Sequence, residues 1–330
     1  MKKYASLLLF ALLLNGCDDG DLVVDTIDFA SVEPASCGIP TGTTSGNSLI
    51  YKLKDREAFL LQMPIGSGLI ENDSTYTYDI NNTSYRLLYR AYDGAVATDN
   101  LCSTIPPSTP KVTEEWIATG GKIKIQSTTT IGDGPIEGST RVTGYSHTIF
   151  LNDITFLRPS GSQTNEQYNF GTYKTTITPA NLTFNDINVA YNCAERKEIY
   201  NYNNSFYIMI ENISDDMLVN VETETGKPRT YDITTSGNNK VFYRTAEAGS
   251  GTITNNYFCP TRATTPTIGE EWKGLPVYEN VKGTIEVTTT KNAQIYFHAI
   301  VLRNVVVQKE NSKFKLGNNF VLGTITKTAQ

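Results

Sequence analysis

The 330-residue chain has only two His, two Trp and four Met, and after its leader no apolar run that approaches the length of a spanning helix. Crossing a bilayer takes about 20 consecutive apolar residues, so no helical span is predicted. Positive charge is also scarce: 28 Lys and Arg stand against 34 Asp and Glu, a net −6. Nucleic acid is held chiefly by neutralising phosphates, so this balance argues against such a partner. No Gly-rich phosphate loop, Gly-x-Ser-x-Gly elbow, HExxH, kinase signature or dinucleotide fingerprint occurs, which removes the motif-bearing enzyme classes. A sustained helical apolar period is missing as well.

The leader is informative. Met1-Lys2-Lys3, the apolar run Leu7 to Leu14, and then Asn15-Gly16-Cys17 form a basic start, a short hydrophobic segment and a small residue at a cut. This predicts a secretory signal peptide over 1–16. Its loss removes Lys2 and Lys3 and leaves 26 basic against 34 acidic residues, net −8. Leu14-Asn15-Gly16-Cys17 resembles the lipobox of bacterial lipoproteins, with Asn15 departing slightly from the usual small residue. The resemblance implies lipidation of Cys17, and each buried acyl CH₂ contributes ~0.8 kcal/mol, so the membrane would be a permanent partner through that lipid.

Asp18, Asp19 and Asp21 make 17–24 an acidic tether. In enteric bacteria an Asp after the lipidated Cys is associated with inner-membrane retention. In Bacteroidota, acidic residues there resemble the signal for export to the outer face of the outer membrane. The chain is rich in Asn, Thr and Tyr and resembles the surface-exposed lipoproteins of Bacteroidota that carry tandem disulfide-containing β domains. That resemblance implies a lipid-anchored outer-membrane address at the cell surface, with the periplasmic face of a membrane as the alternative, and no defined activity.

The remainder is a duplication. Thr109-Pro110-Lys111-Val112-Thr113-Glu114-Glu115-Trp116 matches Thr265-Pro266-Thr267-Ile268-Gly269-Glu270-Glu271-Trp272, and these blocks hold both Trp. His147-Thr148-Ile149-Phe150-Leu151 matches His298-Ala299-Ile300-Val301-Leu302, and these hold both His. Tyr78-Asp79-Ile80 is echoed by Tyr231-Asp232-Ile233, Tyr89-Arg90 by Tyr243-Arg244, and Gly171-Thr172 by Gly323-Thr324. All lie in one order at offsets of roughly 150 to 160 residues, the signature of an internal repeat. Copy 1 is placed at 25–177 and copy 2 at 182–327, joined near Ile177-Thr178-Pro179-Ala180.

Five Cys is an odd number for an exported chain, and a lipidated Cys17 leaves an even set. Cys37 and Cys102 are 65 apart, and Cys193 and Cys259 are 66 apart. Only pairing within each copy lets one geometry serve both, which predicts Cys37–Cys102 and Cys193–Cys259.

Segments rich in Thr, Ile, Val, Tyr and Phe alternate with Gly, Asn, Asp and Pro, a strand pattern. Seven or eight short strands per copy predict an all-β chain of two tandem antiparallel β-sandwich domains of the same fold, with small β-barrels as the alternative. Ile149 and Leu151 share one parity whereas Ile154 and Phe156 share the other, and Ile300/Leu302 and Val305/Val307 repeat the switch. Keeping one face buried then needs an extra residue, so a β-bulge or bend is predicted at Asn152-Asp153 and at Arg303-Asn304.

Each candidate for chemistry has a plain structural reading beside it. His147 and His298 share parity with the buried aliphatics that follow them, and one His per copy falls short of a metal or catalytic set, so they read as structural, at the rim of a packed face. Glu114/Glu115 and Glu270/Glu271 offer an acid and a base. Adjacent carboxylates diverge, however, and the preceding Thr-Pro resembles a helix start, which predicts one helical turn that plants Trp116 or Trp272 in the core.

Copy 1 has extra residues at Ile131-Gly132-Asp133-Gly134-Pro135-Ile136-Glu137-Gly138, where copy 2 has only Lys291-Asn292. Asp133 and Glu137 supply two carboxylates where calcium wants six to eight oxygens, so a flexible hairpin tip is expected and no metal or other cofactor is assigned. This loop is nonetheless where ligand binding would differ between the copies. Asp25-Thr26-Ile27 and Asp73-Ser74-Thr75 resemble the short O-glycosylation motif of Bacteroidota, which would modify Thr26 and Ser74. Among 19 Tyr, some rings suit a sugar-stacking platform. No catalytic residue is assigned. The expected role is a non-catalytic binding or adhesion module for glycan or protein. An accessory subunit of an outer-membrane uptake or assembly complex is the second reading, and a secreted hydrolase the third.

Overall fold

A computed structural model describes residues 26–38, 46–159 and 161–329. The leader, Cys17 and the acidic tether lie outside the described residues. Copy 1 contains β1 (Ala35–Ser36), β2 (Asn47–Lys54), β3 (Glu57–Pro64), β4 (Ser74–Asp79), β5 (Arg86–Tyr92) and a one-turn helix α1 (Asp99–Cys102), followed by three long strands. These are β6 (Val112–Asp133), β7 (Thr140–Arg158) and β8 (Gly161–Thr176). Copy 2 begins with β9 (Tyr191–Cys193), β10 (Glu198–Tyr202), β11 (Phe206–Glu211), β12 (Arg229–Asp232), β13 (Lys240–Ala246) and β14 (Ile268–Gly274). A small hairpin follows, β15 (Val277–Tyr278) and β16 (Val281–Lys282), and then β17 (Thr284–Asn292) and β18 (Ile295–Arg303). The chain ends with β19 (Val306–Lys309), β20 (Ser312–Lys315) and β21 (Asn319–Thr328).

The topology repeats strand for strand. Copy 2 has a seven-stranded sheet in the order β20-β19-β14-β13-β11-β10-β9 and a four-stranded sheet in the order β12-β17-β18-β21, antiparallel throughout. Copy 1 makes the same pairings with one continuous, bent sheet, because β6 serves as both β14 and β17: its first part pairs with β5 and its second with β4. Likewise β7 does the work of β18 and β19, and β8 that of β20 and β21. The all-β expectation therefore holds, with copy 1 wrapped as a half-barrel and copy 2 split into two layers.

The parity switch produces the predicted irregularity. Lys122 faces Asn152 and Gly120 faces Thr155, so β7 carries two residues opposite Gly121, and Asp153 takes a left-handed φ of 53°. At the matching position in copy 2, Asn304 has φ 50°, and there the chain leaves one sheet and enters the other. The repeated Gly-Thr pairs mark a second shared bulge. Ile149 faces Gly171 while Phe150 faces Asn169, and Ile300 faces Gly323 while Val301 faces Val321. A Cβ on Gly323 would lie 2.6 Å from the Ala190 nitrogen, so only glycine admits that backbone approach.

The main core of copy 2 lies between its sheets and includes Ile208, Ile210, Ile285, Val287, Ile300 and Leu302. Copy 1 buries Phe59, Trp116, Ile125, Ile149 and Phe156 in the same way. The opposite face of each larger sheet is covered too, by the loop that each disulfide holds down. Cys37–Cys102 ties α1 over Tyr51, Leu60 and Leu88, and Cys193–Cys259 ties Tyr257 and Phe258 over Tyr200 and Tyr207. This explains why β11 reads Phe-Tyr-Ile-Met-Ile without polar alternation: both of its faces are buried.

Candidate functional site

The two histidines are fully buried and bonded to hydroxyls. His147 shares hydrogen bonds with Ser127 Oγ at 2.8 Å and Thr175 Oγ1 at 3.0 Å. His298 bonds Thr289 Oγ1 at 2.8 Å through Nδ1, while its Nε2 has no partner among the described residues. Lys327 occupies the position that Thr175 holds in copy 1, by the shared register of β8 and β21. Burial pushes both imidazoles down to about 4, with Lys327 and Arg229 adding to the effect at His298. Neutral and out of reach of solvent, each imidazole closes one end of a core.

The Glu pairs correct the expected helical turn, since they lie in strands β6 and β14. Cross-strand pairing of Trp116 with Tyr89 and of Trp272 with Tyr243 outweighs the local Thr-Pro signal. The first Glu of each pair accepts the indole N–H two residues on, at 2.7 Å for Glu114 and 3.1 Å for Glu270. The second binds an arginine on the neighbouring strand, Glu115 to Arg90 at 2.6 Å and Glu271 to Arg244 at 2.7 Å. The carboxylates thus complete the buried Trp side chains and pair with the partly buried Arg90 and Arg244. Glu195 sits beside Cys193 and Cys259 with all three ligand atoms within 4.8 Å, but the sulfurs are bonded to each other and offer no thiolate to a metal.

The loop that distinguishes copy 1 is not a free tip. It extends the β6–β7 hairpin onto copy 2, where the Glu137 carbonyl accepts the Asn318 N–H at 2.9 Å and a Cβ on Gly138 would meet Asn318. Thr140 Oγ1 accepts the Lys315 N–H at 2.8 Å, and the Tyr145 hydroxyl meets Ser312 Oγ at 3.1 Å. Val142 and Tyr145 belong to the core of copy 2. Buried Arg141 donates to the carbonyls of Ala180 in the connector, at 3.2 Å, and of Lys315, at 3.4 Å. Asn311 reaches back to Asn72 Oδ1 and the Asp73 carbonyl at 2.9 and 2.8 Å. Asp133 and Glu137 keep exposed side chains along this brace. Thr26 is exposed, whereas Ser74 is half-buried at the start of β4, next to the Asn311 contact.

A second difference between the copies escaped the sequence reading. Where β6 runs on through Thr119-Gly120-Gly121, copy 2 inserts Leu275 to Gly283 with the β15–β16 hairpin, whose tip residues Glu279 and Asn280 both have positive φ, as a tight two-residue turn demands. The Trp and His anchors hide it, because the larger copy 1 loop makes the repeat offset fall from 156 to 151; only Ile123 matched to Ile285, through their partners Tyr78 and Tyr231, shows the rise to 162 that the insertion causes. The two insertions border one groove of about 350 Å³. Tyr278 and Val281 line it from one hairpin and Ile131 and Thr140 from the other, over Val306. Tyr278 is 36% exposed, Val281 48% and Ile131 46%. A wider cleft of about 800 Å³ in copy 1 is lined by Ser48, Ile50, Glu71 and Tyr173.

Comparison with family models, with curated proteins and with solved structures finds no match.

Proposed function

We propose that the chain is a membrane-anchored surface lipoprotein that acts as a non-catalytic binding module for glycan or protein, and that ligand engages the groove at the junction of its two β domains. One observation carries the reading: the two insertions by which the copies differ border the same groove. Duplicated domains that diverge only for packing have no reason to leave Tyr278, Val281 and Ile131 exposed together. The repeated polar residues support it from the other side, because His, Glu and Arg of the matched motifs are engaged in internal bonds. The anchor would be lipid on Cys17, at the outer face of the outer membrane.

The second reading, an accessory subunit of an outer-membrane complex, draws on the tether. Residues 18 to 24 reach at most ~25 Å, which keeps copy 1 near the membrane. A glycan array and cross-linking in intact cells separate the two. Glycan signal without a cross-linked partner supports the binding module, and a blank array with a recovered outer-membrane protein supports the subunit. Protease shaving of intact cells tests the address: cleavage is expected, and full protection contradicts surface exposure.

A further inference from the structure

The junction groove has a chemistry of its own. Its floor and walls are apolar, from Val306, Val281, Ile131 and the Tyr278 ring, and its rim is polar. Val306 and Lys315 face each other across β19 and β20 and alternate with core residues Val307 and Phe314, so both point outward beneath the hairpin. At about 350 Å³ the groove sits at the small end of the ligand range, roughly 300–1,000 Å³, which fits one or two small rings and not a protein surface. An apolar floor with an exposed aromatic and a ring of hydrogen-bonding groups matches a sugar, whose C–H face is apolar and whose edge is polar.

The charge narrows the class. The lining includes Lys313 and Lys315 against a single acid, Glu279. The Lys313 ammonium donates to the Asn311 carbonyl at 3.0 Å and the Lys315 ammonium to Asn318 Oδ1 at 2.7 Å, both neutral acceptors. Neither has a carboxylate partner among the described residues, and each ammonium keeps donors to spare. In a chain of net charge −6, two lysines placed together on a groove set up local complementarity to an anion.

We infer that this groove binds an acidic sugar, with the Tyr278 ring against the apolar face of a uronate residue and Lys313 and Lys315 taking its carboxylate. This deepens the binding-module reading and rests on it.

The test titrates the full-length protein calorimetrically with tetrameric oligouronates (galacturonate, glucuronate-containing, mannuronate and guluronate) and with the methyl ester of the best binder, which keeps the rings and loses the charge. At least one oligouronate is expected to bind, and its ester at least tenfold more weakly. Tyr278→Ala and the Lys313→Ala/Lys315→Ala pair should each weaken binding tenfold or more, with melting temperatures close to that of the parent. Raised salt should weaken the acid and leave the ester unchanged. Equal affinity for acid and ester, or no binding by any oligouronate, overturns the inference. Glycan binding that survives Tyr278→Ala moves the site elsewhere while keeping the binding module. A blank glycan array together with a cross-linked outer-membrane protein overturns the inference and favours the complex-subunit reading over the glycan-binding module.

Discussion

Lowering the pH from 8 to 5 should destabilise both domains through His147 and His298, which are buried and bonded to hydroxyls. Each is neutral and buried, with its folded value depressed to about 4 against an unfolded value near 6.5. For a base depressed on folding, protons bind preferentially to the unfolded chain. The stabilisation is complete above about 6.5 and is lost progressively as pH falls towards 4. At pH 5 the unfolded imidazole is almost fully protonated and the folded one about a tenth so, which integrates to about 2 kcal/mol per histidine. Other groups titrate over the same interval, so the assay compares variants: urea unfolding at pH 8 and 5 for the parent, His147→Asn, His298→Asn and the double variant. Each single substitution should lower stability at pH 8, through lost hydroxyl bonds and packing, but shrink the pH 8 to pH 5 loss by about 2 kcal/mol; the double variant should shrink it by about 4. A pH dependence identical in parent and double variant would refute the burial argument.

Further outcomes follow from the same contacts. Non-reducing peptide mapping should recover Cys37 with Cys102 and Cys193 with Cys259, and a Cys102–Cys193 peptide would contradict the duplicated geometry; removing either disulfide should cost about 4 kcal/mol from its loop length. Gly323→Ala should destabilise copy 2 by more than the usual Gly-to-Ala change, because the new Cβ meets the Val189 and Ala190 backbone; an unchanged melting temperature would count against that bulge. Trp272→Phe removes the indole donor to Glu270, but Glu270 is partly exposed and keeps Lys309, so the loss in urea unfolding should be that of one hydrogen bond, about 1 kcal/mol. Arg141→Ala removes donors to the connector and to β20 and should loosen the domains, read as a wider particle by small-angle scattering; an unchanged profile would contradict the brace.

The sequence made the repeated features legible because each rests on a local rule. Cysteine spacing marked the disulfides, and the parity switch at Ile154 and Val305 marked the places where a strand must bend. What stayed hidden depends on tertiary packing. Glu-Glu-Trp after Thr-Pro carries a helix-start signal, and only pairing with Tyr89 and Tyr243 across the sheet makes it strand. The Ile131 to Gly138 loop reads as a solvated tip because its destination, the Ser312 to Asn318 region, is almost two hundred residues away. Residues that cover both faces of one sheet erase alternation, so β11 looks like an unpatterned apolar run.

The most direct measurement is a nuclear Overhauser experiment on protein that carries protonated isoleucine γ2 methyls and protonated glycine in an otherwise deuterated background. The Ile136 γ2 methyl lies against Gly317, within about 3 Å of where a Cβ there would stand. A strong cross-peak between that methyl and the Gly317 α protons is the predicted result, because the copy 1 hairpin must rest on copy 2 for the two insertions to share a groove. Its absence, with the hairpin methyls showing the narrow lines of a free loop, would contradict the junction and the binding site built on it.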